Sequence, residues 1–341
     1  MSELDREAIR AMRRSYGEVG LESLPDDPFA AFAGWLNEAA KNDFIVEANA
    51  MVLSTLGVNE HISTRTVLLK DISAGGFTFF TNYSSRKARD IELNSQVTLL
   101  FPWYAMERQV SISGFVEKIS DGESAEYFAT RPWSSQIGAW ASAQSAPLAS
   151  REELEQRFVG ASENSFIVEA NAMVLSTLGD NEHISTRTVL LKDISEGGFT
   201  FFTNYSSRKA QAMELNSQVT LLFPWYAMER QVSISGFAEK ISDSESAEYF
   251  ATRPWSSQIG AWASAQSAPL ASREELEQRF VGASEKWPEG SVVPRPPHWG
   301  GYRVMPIGIE FWQGRYSRLH DRLRYERANT EAKWEITRYY P

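Results

Sequence analysis

The sequence predicts a mainly β protein of the α+β class, in which an antiparallel, Greek-key type sheet closes into a barrel and the barrel block occurs twice. Three observations support this prediction. Residues 42–163 return as residues 164–285 at an offset of 122, each copy holds five short strand-like segments, and few helices separate those segments. Solenoid repeats are shorter, so a whole domain-sized block has been copied. The two copies differ at eight positions, namely Asp43/Ser165, Val58/Asp180, Ala74/Glu196, Arg89/Gln211, Asp90/Ala212, Ile91/Met213, Val116/Ala238 and Gly122/Ser244.

Residues 1–41 are expected to be an N-terminal helical segment ahead of the first copy. Leu4, Ala8, Ile9 and Met12 recur at helical spacing, and two prolines interrupt the pattern. A second amphipathic helix then starts near Phe29. We therefore expect four parts: 1–41, the barrel copies 42–163 and 164–285, and a C-terminal segment 286–341 that completes one barrel.

Five segments of the first copy read as strands because they are rich in β-branched and aromatic residues and are separated by polar or glycine-containing turns. They are residues 50–56, 64–72, 77–82, 97–103 and 107–119. The scarcity of helices between them favours an antiparallel barrel over a parallel βαβ sheet.

A helix is expected between the third and fourth strands, with either Ser84 or Ser85 as its cap. Its first turn holds Arg86 and Lys87, although the helix dipole favours acidic residues at that end. A bound anion would explain the pair, and two solvated surface charges are the alternative.

After the strands we expect a helix that ends at Pro132, a loop rich in Ser, Gln and Trp, and a charged helix over 150–158 capped by Ser150. The tail adds a strand over 302–314, a basic segment over 316–327 and a final strand. It exists only once. Trp103, Trp133 and Trp140 are expected to pack in the core, and His61 and His183 to be exposed in polar turns.

Composition excludes several classes of function. The formal charge of −10 argues against a nucleic acid or an anionic membrane as the main partner, while leaving room for a local basic pocket. No apolar run approaches the roughly 20 residues of a membrane span, and the N terminus lacks a signal-peptide core, so a cytoplasmic location is expected. Cysteine is absent, and four histidines without an HExxH motif predict no metal site.

Side chains suited to anions cluster at strand ends and turns of the first copy. Arg65 and Lys70 flank one strand on opposite faces, so they converge on a ligand only if the strand twists or its backbone also binds. Two groups of cations and hydroxyls suggest two phosphates, one on a cofactor and one on a substrate. The groups comprise Arg65, Lys70, Thr81, Arg86, Lys87 and Gln109, and then Tyr127, Arg131 and Ser135.

Six ordered blocks resemble the pyridoxine/pyridoxamine 5′-phosphate oxidase family over almost all of the 219 residues that remain when one copy is removed. The blocks are RTVLLK (65–70), FFTNYSSRKA (79–88), LLFPW followed by ERQV (99–110), EYFATRPWSSQIGAW (126–140), FWQG (311–314) and RLHDR (318–322). The resemblance implies a split β-barrel that binds FMN without a Rossmann motif, and a dimer with active sites between the barrels. The absence of GxGxxG agrees with this implication.

The resemblance also implies roles for individual residues. The FMN ligands of the first copy and the tail would be Arg65, Thr66, Val67, Leu68, Leu69, Lys70, Phe80, Thr81, Arg86, Lys87, Gln109, Gln144, Ser145, Trp312 and Arg322. Their equivalents in the second copy would be Arg187, Lys192, Phe202, Thr203, Arg208, Lys209, Gln231, Gln266 and Ser267. Substrate would contact Arg13, Tyr16, Lys70, Tyr127, Arg131 and Ser135, or Lys192, Tyr249, Arg253 and Ser257, with Arg318 and His320 as the catalytic pair.

The implied activity is oxidation of pyridoxamine or pyridoxine 5′-phosphate to pyridoxal 5′-phosphate, with hydride passing to FMN and dioxygen as the final acceptor, releasing hydrogen peroxide. The copies would pair within one chain or between chains, and because the tail occurs once, at most one FMN site per chain would be complete. Two alternatives stand beside this one. They are a flavin-binding split-barrel reductase, and an engineered or duplicated variant with incomplete sites and little activity.

Overall fold

A computed structural model describes residues 24–73, 76–130, 169–180, 183–195, 197–315 and 320–341. The first helix, α1, spans Pro28–Ala40. The Asp27 side chain caps it by accepting hydrogen bonds from the backbone N–H groups of Phe29 and Ala30. The Phe32 ring then packs edge-on against the ring of Phe101, which fixes α1 on the core of the first barrel.

The first copy forms a five-stranded antiparallel sheet in the order β3-β2-β1-β4-β5. Its elements are β1 (Ala50–Leu56), β2 (Ile62–Ser73), β3 (Gly76–Phe79), α2 (Arg86–Leu93), β4 (Gln96–Trp103), β5 (Arg108–Phe115) and α3 (Asp121–Thr130). Trp103 is buried in this core, as expected, whereas Trp133 and Trp140 lie outside the described residues.

The second copy and the tail share a nine-stranded sheet. Its elements are β6 (Ala172–Leu178), β7 (Ile184–Leu190), β8 (Asp193–Ser195), β9 (Gly198–Asn204), α4 (Arg208–Leu215), β10 (Gln218–Trp225), β11 (Arg230–Lys240), α5 (Asp243–Ala251), α6 (Trp255–Ala263), α7 (Arg273–Lys286), β12 (Trp299–Gln313), β13 (Asp321–Glu326) and β14 (Glu335–Tyr339). Strand β12 pairs with β11 along its length and with β9 over Trp299–Val304, so it closes this barrel.

The tandem split-barrel fold predicted from the sequence is confirmed, with two corrections to its elements. In the second copy, the segment expected to be a loop after the proline is helix α6, because Pro254 stands at the N-cap, where its missing N–H costs nothing. The charged helix, α7, is capped by Ser272 and continues to Lys286, well beyond the predicted stretch.

The two copies pack against each other through equivalent residues. The Ser54 hydroxyl lies 2.8 Å from the hydroxyl of Ser176, which is its own counterpart in the other copy. The Thr98 hydroxyl donates to the Ile184 carbonyl and the Thr220 hydroxyl to the Ile62 carbonyl, both at 2.9 Å. Contacts that exchange the two copies in this way define a pseudo-two-fold axis within one chain.

An apolar cluster lies beside those hydroxyl contacts. Val52, Leu100, Val174 and Leu222 are fully buried together, two from each copy. Burial of this kind stabilises association as it does a domain core. No helix of the described residues is long and apolar enough to cross a membrane.

Candidate functional site

A large cleft of about 3250 Å³ lies where the first copy faces the second copy and the tail. It is lined by side chains from all three parts. Arg65, Arg86 and Lys87 come from the first copy, Gln231 and Ser233 from β11, and Glu310, Trp312, His320 and Arg322 from the tail. The chain thus brings residues that are about 250 positions apart in sequence into one site.

Arg65 is held on β2 by a small polar network. Its Nη1 donates to the Thr55 hydroxyl at 2.7 Å, and its Nη2 lies 3.7 Å from Asp90 Oδ2. The Thr55 hydroxyl in turn donates to Asp90 Oδ2 at 2.9 Å. Asp90 is itself buried, so this carboxylate fixes the guanidinium and offsets part of its charge.

Arg86 and Lys87 occupy the first turn of α2, where the Ser85 side chain is the cap. Lys87 Nζ donates to the Thr81 hydroxyl at 3.1 Å, which brings two predicted phosphate ligands together. Arg86 Nη2 lies 3.1 Å from His61 Nδ1. Burial, followed by the charges of Arg86 and Arg324, lowers the pKa of His61 to about 4, so the neutral ring accepts this hydrogen bond.

The exposure predicted for the two turn histidines is therefore wrong for His61. This side chain is half-buried against α2, and only His183 in the second copy is exposed. The polar turn gave no sign of the difference, because the side chains that cover His61 come from elsewhere in the chain.

Gln231 joins the site from the second copy. Its side-chain oxygen accepts a hydrogen bond from the Thr66 backbone N–H at 3.2 Å. Gln109 makes the mirrored contact with the Thr188 N–H at 3.1 Å. Each barrel therefore contributes its glutamine to the other barrel's cation cluster, and the cleft of the first copy contains Gln231.

The tail forms the remaining wall. The Trp312 and His320 rings lie 4.6 Å apart between centroids. Arg322 makes a bidentate contact with Glu310, with Nη2 at 3.0 and 2.9 Å from the two carboxylate oxygens. Burial opposes ionisation of Glu310, but Arg322, Arg324 and Arg86 outweigh it and hold its pKa below the ordinary value.

The electrostatics of the cleft favour an anionic ligand. Burial, followed by the charges of Arg65 and Arg322, lowers the pKa of Lys87 to about 7. Burial likewise lowers the pKa of Arg65 to about 10, against the opposing effect of Asp90. A phosphate dianion beside these groups would relieve their mutual repulsion, so the donor set fits a phosphate ester.

The predicted substrate side of the cleft is only partly described. Lys70 and Tyr127 line the cleft, and the Tyr127 ring stacks on Phe80 with centroids 3.7 Å apart. Thr66, Val67 and Leu68 line the cleft as well, whereas Leu69 is buried in the core. The remaining first-copy, N-terminal and tail candidates lie outside the described residues; they are Arg13, Tyr16, Arg131, Ser135, Gln144, Ser145 and Arg318.

The second copy assembles a similar cation cluster with different surroundings. Lys209 Nζ donates to Gln266 Oε1 at 2.9 Å and to Thr203 at 3.2 Å, and Arg187 donates to Thr177 at 2.9 Å. Burial and then Arg187 lower the pKa of Lys209 to about 8. Arg208 is exposed, whereas its counterpart Arg86 is half-buried under the tail.

The other second-copy candidates are mostly drawn into packing. Tyr249 is buried, and its ring stacks on Phe202, which in turn stacks on Trp299. The Arg253 guanidinium lies over the Trp299 ring, 4.7 Å from its centroid. Lys192 is buried, Ser257 is half-buried, and Ser267 is exposed.

Sequence reasoning missed Asp90, which pairs with Arg65, and Glu310, a carboxylate that lines the cleft and pairs with Arg322. Asp90 is one of the eight positions that differ, and its counterpart in the second copy is Ala212. That difference was the available signal, because a carboxylate three residues after Lys87 on a short helix lies near the same face.

The fold and the cleft define a split-barrel protein with a cationic site where two barrels meet. The chain belongs to the pyridoxamine 5′-phosphate oxidase family: the family model matches residues 38–165 and again 160–286. A model of the pyridoxine 5′-phosphate oxidase C-terminal dimerisation region matches residues 299–341. Membership confirms the resemblance and the predicted FMN cofactor, and it supports a flavin-dependent oxidoreductase in which two barrels pair.

Curated relatives and a solved structure are similar to parts of this chain. The chain is 50% identical over 175 residues to pyridoxine/pyridoxamine 5′-phosphate oxidase of Streptomyces avermitilis, covering 51% of this chain and 78% of that protein. It is 54% identical over 174 residues to the Burkholderia lata protein of the same name, covering 51% and 80%. The crystal structure of PhzG from Burkholderia lata, in complex with tetrahydrophenazine-1-carboxylic acid, has a TM-score of 0.47 at 32% identity, covering 50% of this chain and 83% of that one.

Proposed function

We propose that this chain is an FMN-dependent oxidase that converts pyridoxamine or pyridoxine 5′-phosphate to pyridoxal 5′-phosphate. Dioxygen is the electron acceptor in this proposal, and hydrogen peroxide is released. One working site per chain lies in the cleft between the first copy and the tail. The observation that carries the proposal is that Arg65, Arg86 and Lys87 share this cleft with Trp312, His320 and Arg322.

The cofactor phosphate would be held by the cations of the first copy. Arg65 presents a planar donor pair fixed by Thr55 and Asp90, and Lys87 adds a point charge beside the Thr81 hydroxyl. When bound, the flavin supplies the two-electron redox chemistry of the reaction. Gln231 holds the backbone of Thr66 in place from the opposite barrel.

The substrate would lie between Tyr127 and the tail. Lys70 and Tyr127 are assigned to its phosphate, because both line the cleft and both carry a hydrogen-bond donor suited to a phosphate. His320 and Arg318 are assigned to its ring as the catalytic pair. In the structure, His320 Nδ1 accepts the Arg315 backbone N–H at 3.1 Å, which orients the imidazole edge beside Trp312.

The second cation cluster is assigned no activity of its own. The tail occurs once, and its Trp312 and Arg322 line the cleft of the first copy. In the second cluster, Gln266 Oε1 accepts a hydrogen bond from the Lys209 ammonium group. Binding there would lack the aromatic and guanidinium wall that the tail gives to the first site.

Flavin titration of a matched pair of variants tests this assignment. We expect one tight FMN site per wild-type chain. Arg65→Ala should weaken it by roughly a hundredfold, because a charge-assisted bidentate contact to phosphate is lost. Arg187→Ala removes the equivalent arginine and should leave the titration unchanged. Two equally tight sites, or a loss of FMN in Arg187→Ala, would contradict the proposal.

Activity is measured separately on the FMN-loaded wild type. Pyridoxamine 5′-phosphate added without air should bleach the flavin absorbance, and readmitted dioxygen should restore it with release of hydrogen peroxide. A protein that holds FMN but is not bleached would support the binding site and refute the oxidase.

A further inference from the structure

The sheet of the first copy ends in two strand edges that the second copy has covered. Its outermost strands are β3 and β5, and among the described residues no strand pairs with their outer edges. In the second copy the corresponding strands, β9 and β11, both pair with β12. The same block of sequence is therefore seen with and without its closing strand.

The sequence of the two acceptor regions is nearly the same. Residues 76–82 are identical to 198–204, and residues 108–118 differ from 230–240 only at Val116/Ala238. Yet β3 has 4 residues where β9 has 7, and β5 has 8 where β11 has 11. The missing partner strand accounts for this shortening, because strand ends are stabilised by cross-strand hydrogen bonds and side-chain pairs.

As far as the described residues go, the interior of the first barrel is open along this gap. Val97, Leu99 and Ile112 line the large cleft, whereas Ile234, the counterpart of Ile112, is fully buried. Phe115 is 77% exposed and its counterpart Phe237 is 39% exposed. An apolar channel bordered by two strand edges that have no partner strand in the described ranges is a site for strand addition.

A comparison of two equivalent glycines shows that the channel leaves room for a strand such as β12. A Cβ atom placed on Gly236 would lie 2.2 Å from the Met305 carbonyl oxygen, so β12 packs directly on this glycine. A Cβ atom placed on the counterpart, Gly114, would have nothing within 4 Å. Glycine occurs within a strand where another backbone approaches closely. Gly114 is such a glycine, although no strand lies beside it in the described structure.

We propose that the first copy is a strand acceptor, and that its occupant is the C-terminal segment 299–341 of a second molecule of this chain. The segment would add between β5 and β3 in the register that β12 uses on β11, with Gln313 opposite Arg108 as it is opposite Arg230. By the pseudo-two-fold relation, Trp312 and Arg322 of the incoming segment would face Arg187 and Lys209. That last step rests on the proposed function, and it would complete a second FMN site.

The ratio of acceptors to tails limits how the first-copy acceptor can be filled. Each chain carries two acceptors and one tail, and the connector after α7 keeps the tail at high effective concentration on its own second copy. Exchange between whole chains fills one acceptor by emptying another, while association still costs translational and rotational freedom. A separately supplied segment avoids this competition and is the sensitive probe.

The experiment adds a fluorescently labelled synthetic peptide of residues 299–341 to the full-length chain and follows its anisotropy. We expect saturable binding of one peptide per chain. Gly114→Val should weaken binding by at least about tenfold, because the new side chain occupies the path of the incoming backbone. The same variant should keep the unfolding transition of the free chain, since the added atoms enter open space.

FMN titration with the peptide present provides the second readout. The number of tight FMN sites should rise from one to two per chain, and Arg187→Ala should abolish only the added site. Absence of saturable peptide binding, or equal binding to Gly114→Val, would overturn the strand-acceptor proposal. Peptide binding by a chain that takes up no FMN would leave the acceptor in place and refute the proposed function instead.

Discussion

Lys87 couples ligand binding to pH. In the free protein its pKa is lowered to about 7, so the unfolded chain binds more protons between pH 7 and the ordinary pKa of 10.5, and stability rises with pH in that window. A phosphate dianion beside the ammonium group raises the pKa again. Binding above pH 7 therefore takes up a proton.

From this sign we expect FMN affinity to fall as pH rises above 7, by up to about tenfold per pH unit. Fluorescence titrations between neutral and alkaline pH measure it. Lys87→Gln serves as the control: it should bind FMN more weakly and lose most of the pH dependence in that range. A slope that survives in Lys87→Gln would assign the proton to another group.

Asp90 is expected to stabilise the fold through Arg65 and Thr55. Asp90→Ala should lower the free energy of unfolding by about 1–3 kcal/mol, because the buried Thr55 hydroxyl loses its acceptor and the Arg65 guanidinium loses its counter-ion. Asp90→Asn keeps an acceptor oxygen and should cost less. Denaturant unfolding of the FMN-free chain measures both variants, and an unchanged midpoint in Asp90→Ala would show that water replaces the carboxylate.

At the scale of single residues, the sequence predicts the cations of the site but not the carboxylates that pair with them. Arg65, Arg86 and Lys87 were predicted as a group, and the cleft unites them. Asp90 and Glu310 were not predicted, because a carboxylate on a short helix or in a strand of the tail has the same local pattern whether it is buried or solvated. Only tertiary contacts separate those two environments.

Among the elements, strand lengths show what local sequence determines. The stretch predicted as a strand over 107–119 matches β11 of the second copy, Arg230–Lys240, better than β5, which ends at Phe115. Propensity and pattern specify that a strand forms, and the neighbouring strand decides how far it extends. Because the two copies have almost the same sequence here, the sequence alone cannot predict that β5 is shorter than β11.

Strand β11 contributes to function across the pseudo-two-fold axis through Gln231. We expect Gln231→Ala to weaken FMN binding by roughly tenfold, since the Thr66 backbone N–H loses its acceptor beside Arg65. Gln109→Ala removes the mirrored contact to Thr188 and should leave the FMN titration unchanged. Equal effects in the two variants would mean that both clusters bind FMN.

For the whole molecule, the sequence left open whether the copies pair within or between chains. The structure pairs them within one chain, through Ser54 and Ser176 and through the apolar cluster of Val52, Leu100, Val174 and Leu222. Neither alternative can be read from the repeat, because identical surfaces serve both equally well. The domain boundaries at residues 42, 164 and 286 stay predictions.

Intrachain pairing makes assembly of the FMN site unimolecular. We therefore expect the FMN dissociation constant to be independent of protein concentration. FMN fluorescence titrations at several protein concentrations measure this. A site shared between two chains would instead give a dissociation constant that rises as the protein is diluted, with a matching change in sedimentation.

The hydroxyl groups on the pseudo-two-fold axis have a consequence of their own. Ser54, Thr64, Ser176 and Thr186 form a closed ring of four contacts at 3.2 Å, and a fifth contact, between Ser54 and Ser176 at 2.8 Å, crosses the ring. Thr64 donates to Ser176 and Thr186 donates to Ser54, so each threonine gives its proton to the serine of the other copy. Across the 2.8 Å contact either serine can be the donor, and the near-identical halves give these two choices almost equal energy. The proton between the two serines therefore has two nearly equivalent positions, and the pseudo-two-fold symmetry is broken there at the level of a single hydrogen atom.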